Sequence, residues 1–220
     1  ENVSPIIDEC WNQGIFPNEL VPQFGNFLEQ EFGSTTYIYP PSNPLPFRLF
    51  KMELGRIDPS MASFFAVHWG LAMGSISMFG SEEQKKKWLP PMQTMKKIGS
   101  WALTEPNSGS DAAFALQCTA VKNDKGWVLN GEKKWSGNAS MADVIVVWAK
   151  EESSERILGF LVEPSMKGVE IDKITDKISK RAMENVHIQL KNVQLIENQR
   201  LPHVNSFKEI GKQLIGGRIA

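Results

Sequence analysis

Trp101-Ala102-Leu103-Thr104-Glu105-Pro106-Asn107-Ser108-Gly109-Ser110-Asp111 is the stretch on which the reading of the fold turns. A short apolar run stops at Thr-Glu-Pro and breaks into a loop of Asn, Ser, Gly and Asp. Glu105 precedes a proline and is pushed towards an extended conformation. Asn107 to Asp111 tolerate tight turns and are expected to turn backbone N–H groups outward. A strand feeding such a loop can offer amides and hydroxyls to a planar or anionic ligand. On pattern alone it is a strand-to-loop junction, and most such junctions are plain turns.

Upstream, the chain reads as helical. Phe47, Phe50 and Leu54 have helical spacing, whereas the proline-rich run from Pro40 to Pro46 suits a loop, since each proline removes a donor and clashes with the preceding turn. Asp58-Pro59 is a helix start, an N-cap followed by proline at the first helical position. Residues 59–81 contain no Asp, Glu, Lys or Arg, so a membrane span has to be weighed. Against it stand serines, glycines and His68 within the window. Two stripes emerge instead, Phe65/Trp69/Ala72/Ile76/Phe79 and Met61/Phe64/His68/Leu71/Met78, as expected of a buried helix. In that helix His68 is expected to fill a stripe position with its polar tip satisfied. Ser81-Glu82-Glu83-Gln84 is a capping box opening a basic helix that Pro90-Pro91 is expected to close.

Downstream, short strand-like runs alternate with turn signals from Gln117 to Ile196. Asn123-Asp124-Lys125-Gly126 reads as one turn, and Asn130-Gly131 as a hairpin between Trp127–Leu129 and Lys133–Ser136. This spacing implies a β-barrel or sandwich of about a hundred residues. From Ser206 the pattern turns helical again. The fold class is thus α+β: a helical domain over 1–97, an antiparallel β-barrel over 98–204, and in 205–220 the start of a further helical domain.

Composition narrows the function. Lys plus Arg number 24 against 25 Asp plus Glu, which leaves no electrostatic case for nucleic acid or an anionic membrane. Cys10 and Cys118 are far apart, so neither a disulfide framework nor a metal site is expected. The first residue is not Met, so the chain is expected to be trimmed at its start, which would hide any targeting segment. Trp135, followed by Ser136-Gly137-Asn138, suits a ligand ring lying on the indole while backbone amides reach its edge; the plainer reading is a core tryptophan at a strand end. Glu105 is not expected to be a base. No nucleophile elbow, zinc-protease motif or phosphate-binding glycine loop is present.

Three motifs in register carry a resemblance. Leu103 to Asp111 resembles the first signature of the acyl-CoA dehydrogenase and acyl-CoA oxidase superfamily, and Asn130-Gly131-Glu132-Lys133-Lys134-Trp135-Ser136-Gly137-Asn138 resembles its second. Gly80 to Pro90 matches the family's link from helices to barrel. The plant-type short-chain oxidase and glutaryl-CoA dehydrogenase branch is nearest. The resemblance implies FAD as cofactor and α,β-dehydrogenation of an acyl-CoA thioester, the β-hydride passing to the flavin and the α-proton to a carboxylate. It places Trp101, Ala102, Leu103 and Thr104 on the flavin's pyrimidine edge, with Gly109 and Ser110 in the cofactor-binding loop. Ser110 also meets the acyl-CoA. Trp135 packs on the ring, with Ser136 and Gly137 near N5.

The same resemblance sets further expectations. The catalytic Glu belongs to a C-terminal helical bundle beyond Ala220, so no catalytic residue is expected in this chain, and the fragment alone is expected to be inactive. Many dehydrogenases have Thr where Gly137 stands, and its loss is expected to leave space beside N5, which tilts the acceptor towards O2 over electron-transfer flavoprotein. Ala62 replaces the arginine that glutaryl-CoA dehydrogenases use for a distal carboxylate. Ser34 to Tyr39 replace a Gly-rich loop. A homo-oligomer is expected for the full-length protein. So is a peroxisomal or mitochondrial location in a eukaryote, or a cytoplasmic one in a bacterium. The rival is a non-catalytic scaffold that kept the fold.

Overall fold

The computed structural model describes residues 4–32, 45–154 and 156–219. The readings of Ser34 to Tyr39 and of Pro40 to Pro44 fall outside them, whereas Leu45 and Pro46, expected in the same loop, open a helix, whose first turn tolerates proline. Helices α1 (Ser4–Gln13), α2 (Leu20–Phe32) and α3 (Leu45–Ile57) surround a rod built from α4 (Pro59–Phe65), a π-helical segment (Ala66–Met73) and α5 (Gly74–Phe79). Asp58 caps the rod as expected, its Oδ1 accepting the Ser60 N–H at 2.5 Å. By length and composition the rod is apolar enough to cross a membrane. Its aromatic surface is instead used inside the protein: Phe65 meets Trp69 at 4.7 Å and Phe50 edge-on at 5.3 Å, and Phe16 meets Phe64 at 4.4 Å.

The first apolar stripe is buried throughout, but the second fails at its far end, where Leu71 is half-buried and Met78 exposed. Ile76 and Phe79 keep the first stripe's spacing past the π segment, and beside them Met73 and Ser75 are buried in place of Leu71 and Met78. Helix α6 (Glu82–Gln93) opens on the expected capping box, with Gln84 N–H to Ser81 Oγ at 3.2 Å and Ser81 N–H to Gln84 Oε1 at 2.9 Å. Pro90 and Pro91 sit inside its last turn rather than closing it.

The sheet comprises β1 (Gly99–Ala102), β2 (Thr119–Asn123), β3 (Gly126–Gly137), β4 (Val144–Glu151), β5 (Ile157–Val162), β6 (Val169–Lys173) and β7 (Asn185–Leu195); α7 (Ala112–Ala115) lies between β1 and β2, and α8 (Phe207–Ile219) follows. The spatial order is β1-β4-β2-β3-β7-β6, with β5 on the other edge of β4. The expected antiparallel barrel is corrected to a curled mixed sheet, because β4 runs parallel to both β1 and β2. Hairpin turns reveal only pairs of neighbours in sequence, and the β1–β4 pair closes across the whole β2–β3 excursion.

Asn123–Gly126 is the expected tight hairpin. Asn130-Gly131 is not: β3 runs straight through it, and the register shifts where Lys191 and Asn192 bulge from β7 opposite. Gly131, at φ +138°, is required there, since a Cβ would lie 2.6 Å from Cys118 Cα.

β4 explains how the two parts join. Val144, Val146 and Trp148 pack with the helices, while Ile145, Val147 and Ala149 pack inside the curl, so the strand reads as an unbroken apolar run. His68 pins the seam. The Gly99 N–H donates to its Nδ1 at 2.9 Å, and its Nε2 donates to Met92 O at 2.9 Å. Burial holds this imidazole neutral, its pKa lowered to about 4.

Candidate functional site

The loop after β1 is anchored from below. Glu105 is buried, and its carboxylate accepts from Lys133 Nζ at 2.8 Å and from the N–H groups of Gln117 and Cys118 at 2.7 and 2.9 Å. Lys133 is also buried and donates to Leu103 O at 3.2 Å. Such a pair tolerates the interior only because its hydrogen bonds are made. Glu105 is therefore a clamp and not a base. Above it, Pro106 and Asn107 form a turn closed by Glu105 N–H to Ser108 O at 2.9 Å. The expectation of outward amides is corrected at two positions: the Ser108 N–H donates to Glu105 O at 3.3 Å, and Asp111 Oδ1 takes the Gly109 N–H at 2.9 Å along with the Ser108 hydroxyl at 3.2 Å.

The second wall comes from the end of β3. Between Lys133 and Ser136 the strand carries an extra residue relative to β7, and Trp135 sits in this bulge at φ +64°. A left-handed tryptophan costs about 1–2 kcal/mol and persists only where its surroundings over-determine it. Asn185 Nδ2 donates to Trp135 O at 3.0 Å, and Lys177 Nζ holds Asn185 Oδ1 at 2.8 Å as well as the Met183 carbonyl. Burial lowers the Lys177 pKa. The bulge leaves the indole 51% exposed at a sheet end. Beyond it, Asn138 at φ +66° is buried and donates to Phe64 O at 3.0 Å and Gly99 O at 3.4 Å.

Hydrogen bonds to backbone carbonyls join the two walls. Lys134 N–H donates to Thr104 O at 2.8 Å, and Ser100 Oγ donates to Gly137 O at 2.7 Å. Trp101, Ala102, Leu103 and Thr104 thus end beside Trp135, Ser136 and Gly137. Trp101 is half-buried, its ring edge-on to Trp148 at 6.1 Å. Gly109 and Ser110 are exposed on the loop. The Ser136 hydroxyl is buried without a hydrogen-bond partner, a state that is rare unless another group supplies one. An outward-held indole, neighbouring backbone and an orphan hydroxyl fit a flat heteroaromatic ring. The two walls form an open face; the cavities of about 300 Å³ beside Trp88 and beside Arg181 lie elsewhere.

The expected space at Gly137 is absent. A Cβ there would meet Met183 Cε at 2.1 Å, so the methionine methyl occupies the volume a side chain would take. Sequence reasoning missed Met183 and Lys177, which lie in the loop between β6 and β7 with no periodic signal, and Asn185, which opens β7. Lys133 was findable: it shares the parity of Trp127 and Leu129 in β3, so a strand facing the core there buries a lysine that demands a carboxylate. Cys118 packs under Gly131, where burial raises its thiol pKa to about 11 and leaves it inert.

The chain matches the family models described as acyl-CoA dehydrogenase, N-terminal domain, over residues 1–96 and acyl-CoA dehydrogenase, middle domain, over residues 100–193. It is 30% identical to the short-chain-specific acyl-CoA dehydrogenase of Clostridium acetobutylicum, over 99% of this chain and 58% of that protein. It is 33% identical to the mitochondrial isovaleryl-CoA dehydrogenase of Oryza sativa subsp. japonica, over 73% of this chain and 38% of that one. The glutaryl-CoA dehydrogenase of Mycobacterium smegmatis, solved with FADH2, superposes with TM-score 0.89 at 33% identity, covering 98% of this chain and 55% of its own. The butyryl-CoA dehydrogenase of Megasphaera elsdenii does so at 0.88 and 29% identity, over 100% of this chain and 59% of its own. The chain thus spans little more than half the length of most of these relatives. With both models in order and both walls of the site inside them, it belongs to the acyl-CoA dehydrogenase family, whose N-terminal and middle domains it comprises.

Proposed function

We propose that this chain forms the helical and sheet portions of an FAD-dependent enzyme that introduces a double bond between the α and β carbons of an acyl-CoA thioester. The observation that carries the reading is Trp135, held outward at φ +64° beside the end of β1. Trp101 to Thr104 and Trp135 to Gly137 are the residues proposed to hold the flavin, with Gly109 and Ser110 in the loop alongside; Ser110 is also proposed to meet the thioester. When bound, FAD supplies the hydride acceptor. The chain's own part is to orient the ring and keep water from it; donors aimed at the ring's oxygens would favour the charge that develops on reduction. The proton is taken by a carboxylate other than Glu105, which is occupied by Lys133.

Met183 fills the volume opposite Gly137, which removes the physical argument for an oxygen-reactive flavin. Transfer to an electron-transfer flavoprotein is therefore the proposed route, and one structural neighbour is described as an electron transferring flavoprotein of Acidaminococcus fermentans. Ala62 brings no cation for a distal carboxylate, so the proposed substrate is an unsubstituted or branched short acyl group. Relatives that are mitochondrial or bacterial support a mitochondrial or bacterial cytoplasmic location.

The test is turnover of butyryl-CoA by the full-length protein, followed as enoyl-CoA. Product with a dye acceptor, and little hydrogen peroxide in air, is the expected result. Peroxide in step with product would instead make it an oxidase. Bound flavin with no product from any short acyl-CoA would leave a scaffold.

A further inference from the structure

We propose that Gln213 is a positioning residue for the site: from α8 it fixes the π segment of the core rod and, through Ser75, holds the indole of Trp101 at the end of β1. The link to the cofactor rests on the function proposed above, in which Trp101 to Thr104 border the flavin.

Gln213 lies on the inward face of α8, with Ile210 buried and Phe207 and Leu214 packed on the helical core. At that position an apolar residue is expected, and a buried amide is costly unless its donors and acceptor are matched. All of them are. Nε2 donates to Leu71 O at 2.7 Å and to Gly70 O at 3.2 Å, both inside the π segment. Oε1 lies 3.0 Å from Ser75 Oγ, which also lies 2.7 Å from Leu71 O and accepts from Trp101 Nε1 at 3.1 Å.

Ser75 has one proton, and counting donors decides where it goes. If it goes to Leu71 O, that carbonyl receives it on top of the Gly74 N–H and the Gln213 amide, and the buried Oε1 of Gln213 receives none. If it goes to Gln213, every member is satisfied. The network therefore runs from Trp101 N–H to Ser75 Oγ, from Ser75 O–H to Gln213 Oε1, and from the Gln213 amide back to Gly70 and Leu71. Ser75 and Gln213 are fully buried, so each bond acts in a low-dielectric setting where an unmade partner is costly. π segments are rarely long, and this one of eight residues is braced from outside by Gln213. Three elements distant in sequence, α8, the rod and β1, meet at one hydroxyl.

The measurement is the indole N–H resonance of Trp101 in the ¹⁵N-labelled full-length protein, assigned by its loss in Trp101→Phe and read beside the FAD absorption band. In Gln213→Leu the Ser75 hydroxyl loses its anchor to α8, and the Trp101 N–H bonded to it is expected to shift and to exchange with solvent about tenfold faster. The Trp127 N–H, bonded to Glu197, should not move. Ser75→Ala, which keeps the Gln213 bonds to Gly70 and Leu71, should give the same change even if Gln213→Leu folds poorly, and the double variant should add nothing further. In both variants the flavin band is expected to shift from that of the wild type. An unchanged Trp101 N–H in Ser75→Ala and Gln213→Leu overturns the proposal, whatever the flavin does. A moved N–H with an unshifted flavin band reduces Gln213 to a packing residue and overturns it as well. A moved N–H in a protein that binds no FAD sinks the proposed function, and the cofactor half of this inference with it.

Discussion

The two walls of the site are built on opposite principles. The loop from Thr104 to Asp111 is held by charge: a buried carboxylate satisfies a buried ammonium and two backbone amides, and a second carboxylate clamps the turn above. The bulge from Trp135 to Asn138 is held by backbone geometry, two left-handed residues kept in place by side-chain amides from β7 and from Asn138 itself. A wall anchored by charge fails when one partner is removed. A wall anchored by geometry tolerates a change of side chain, provided the backbone conformation survives. Damage to the first should appear in stability, and damage to the second in binding.

The largest effect is expected from Lys133→Met, which leaves Glu105 charged and buried without its ammonium. The loss should be about 3–5 kcal/mol in urea unfolding of the full chain. Adding Glu105→Leu should recover part of it, less the two amides left unpaired. A loss under about 1 kcal/mol would mean that the loop is not anchored by charge.

The seam that both walls share gives a pH test. His68 is neutral when folded, with a pKa near 4 against an ordinary 6.5. The unfolded chain therefore binds the extra proton between those values, and stability must rise with pH across that window and fall on acidification. The contribution present above pH 6.5 is about 3 kcal/mol by linkage, to order of magnitude. His68→Gln should flatten that part of the stability curve, and an unchanged slope would rule out His68 as its source.

A smaller effect is expected at Gly137→Ala. The new methyl group collides with Met183 Cε, but that atom ends a flexible side chain. The cost should be about 1–2 kcal/mol, and shortening the methionine in the same protein should reduce it. If Gly137→Ala costs nothing, the volume beside residue 137 is free.

Much of this architecture was legible in the sequence, and the exceptions have physical causes. The caps at Asp58 and Ser81, the buried rod and the Asn123–Gly126 turn depend on local chemistry that a few neighbouring residues contain. Asn130-Gly131 misled because the same conformational freedom serves a hairpin or a straight strand pressed against Cys118, and only tertiary contact decides. The parallel pairing of β4 and the burial of Met73 and Ser75 in place of Leu71 and Met78 are likewise non-local. In the candidate site the sequence singles out Trp135 and Thr104, but not what holds them: Lys177 and Met183 come from a loop without periodicity, and Asn185 opens β7.

The smallest change in stability is expected from Trp135→Asn, because asparagine accepts the left-handed backbone and the indole is half outside: about 1 kcal/mol at most. This variant gives the most direct test of the account. FAD is titrated into the deflavinated full-length protein and its Trp135→Asn variant, with urea unfolding measured in parallel. The wild type is expected to bind one FAD per chain, and the variant, equally stable, to bind at least about tenfold more weakly, as for a lost aromatic stacking contact. Equal FAD affinity in the two proteins, or no binding by the wild type, would contradict it.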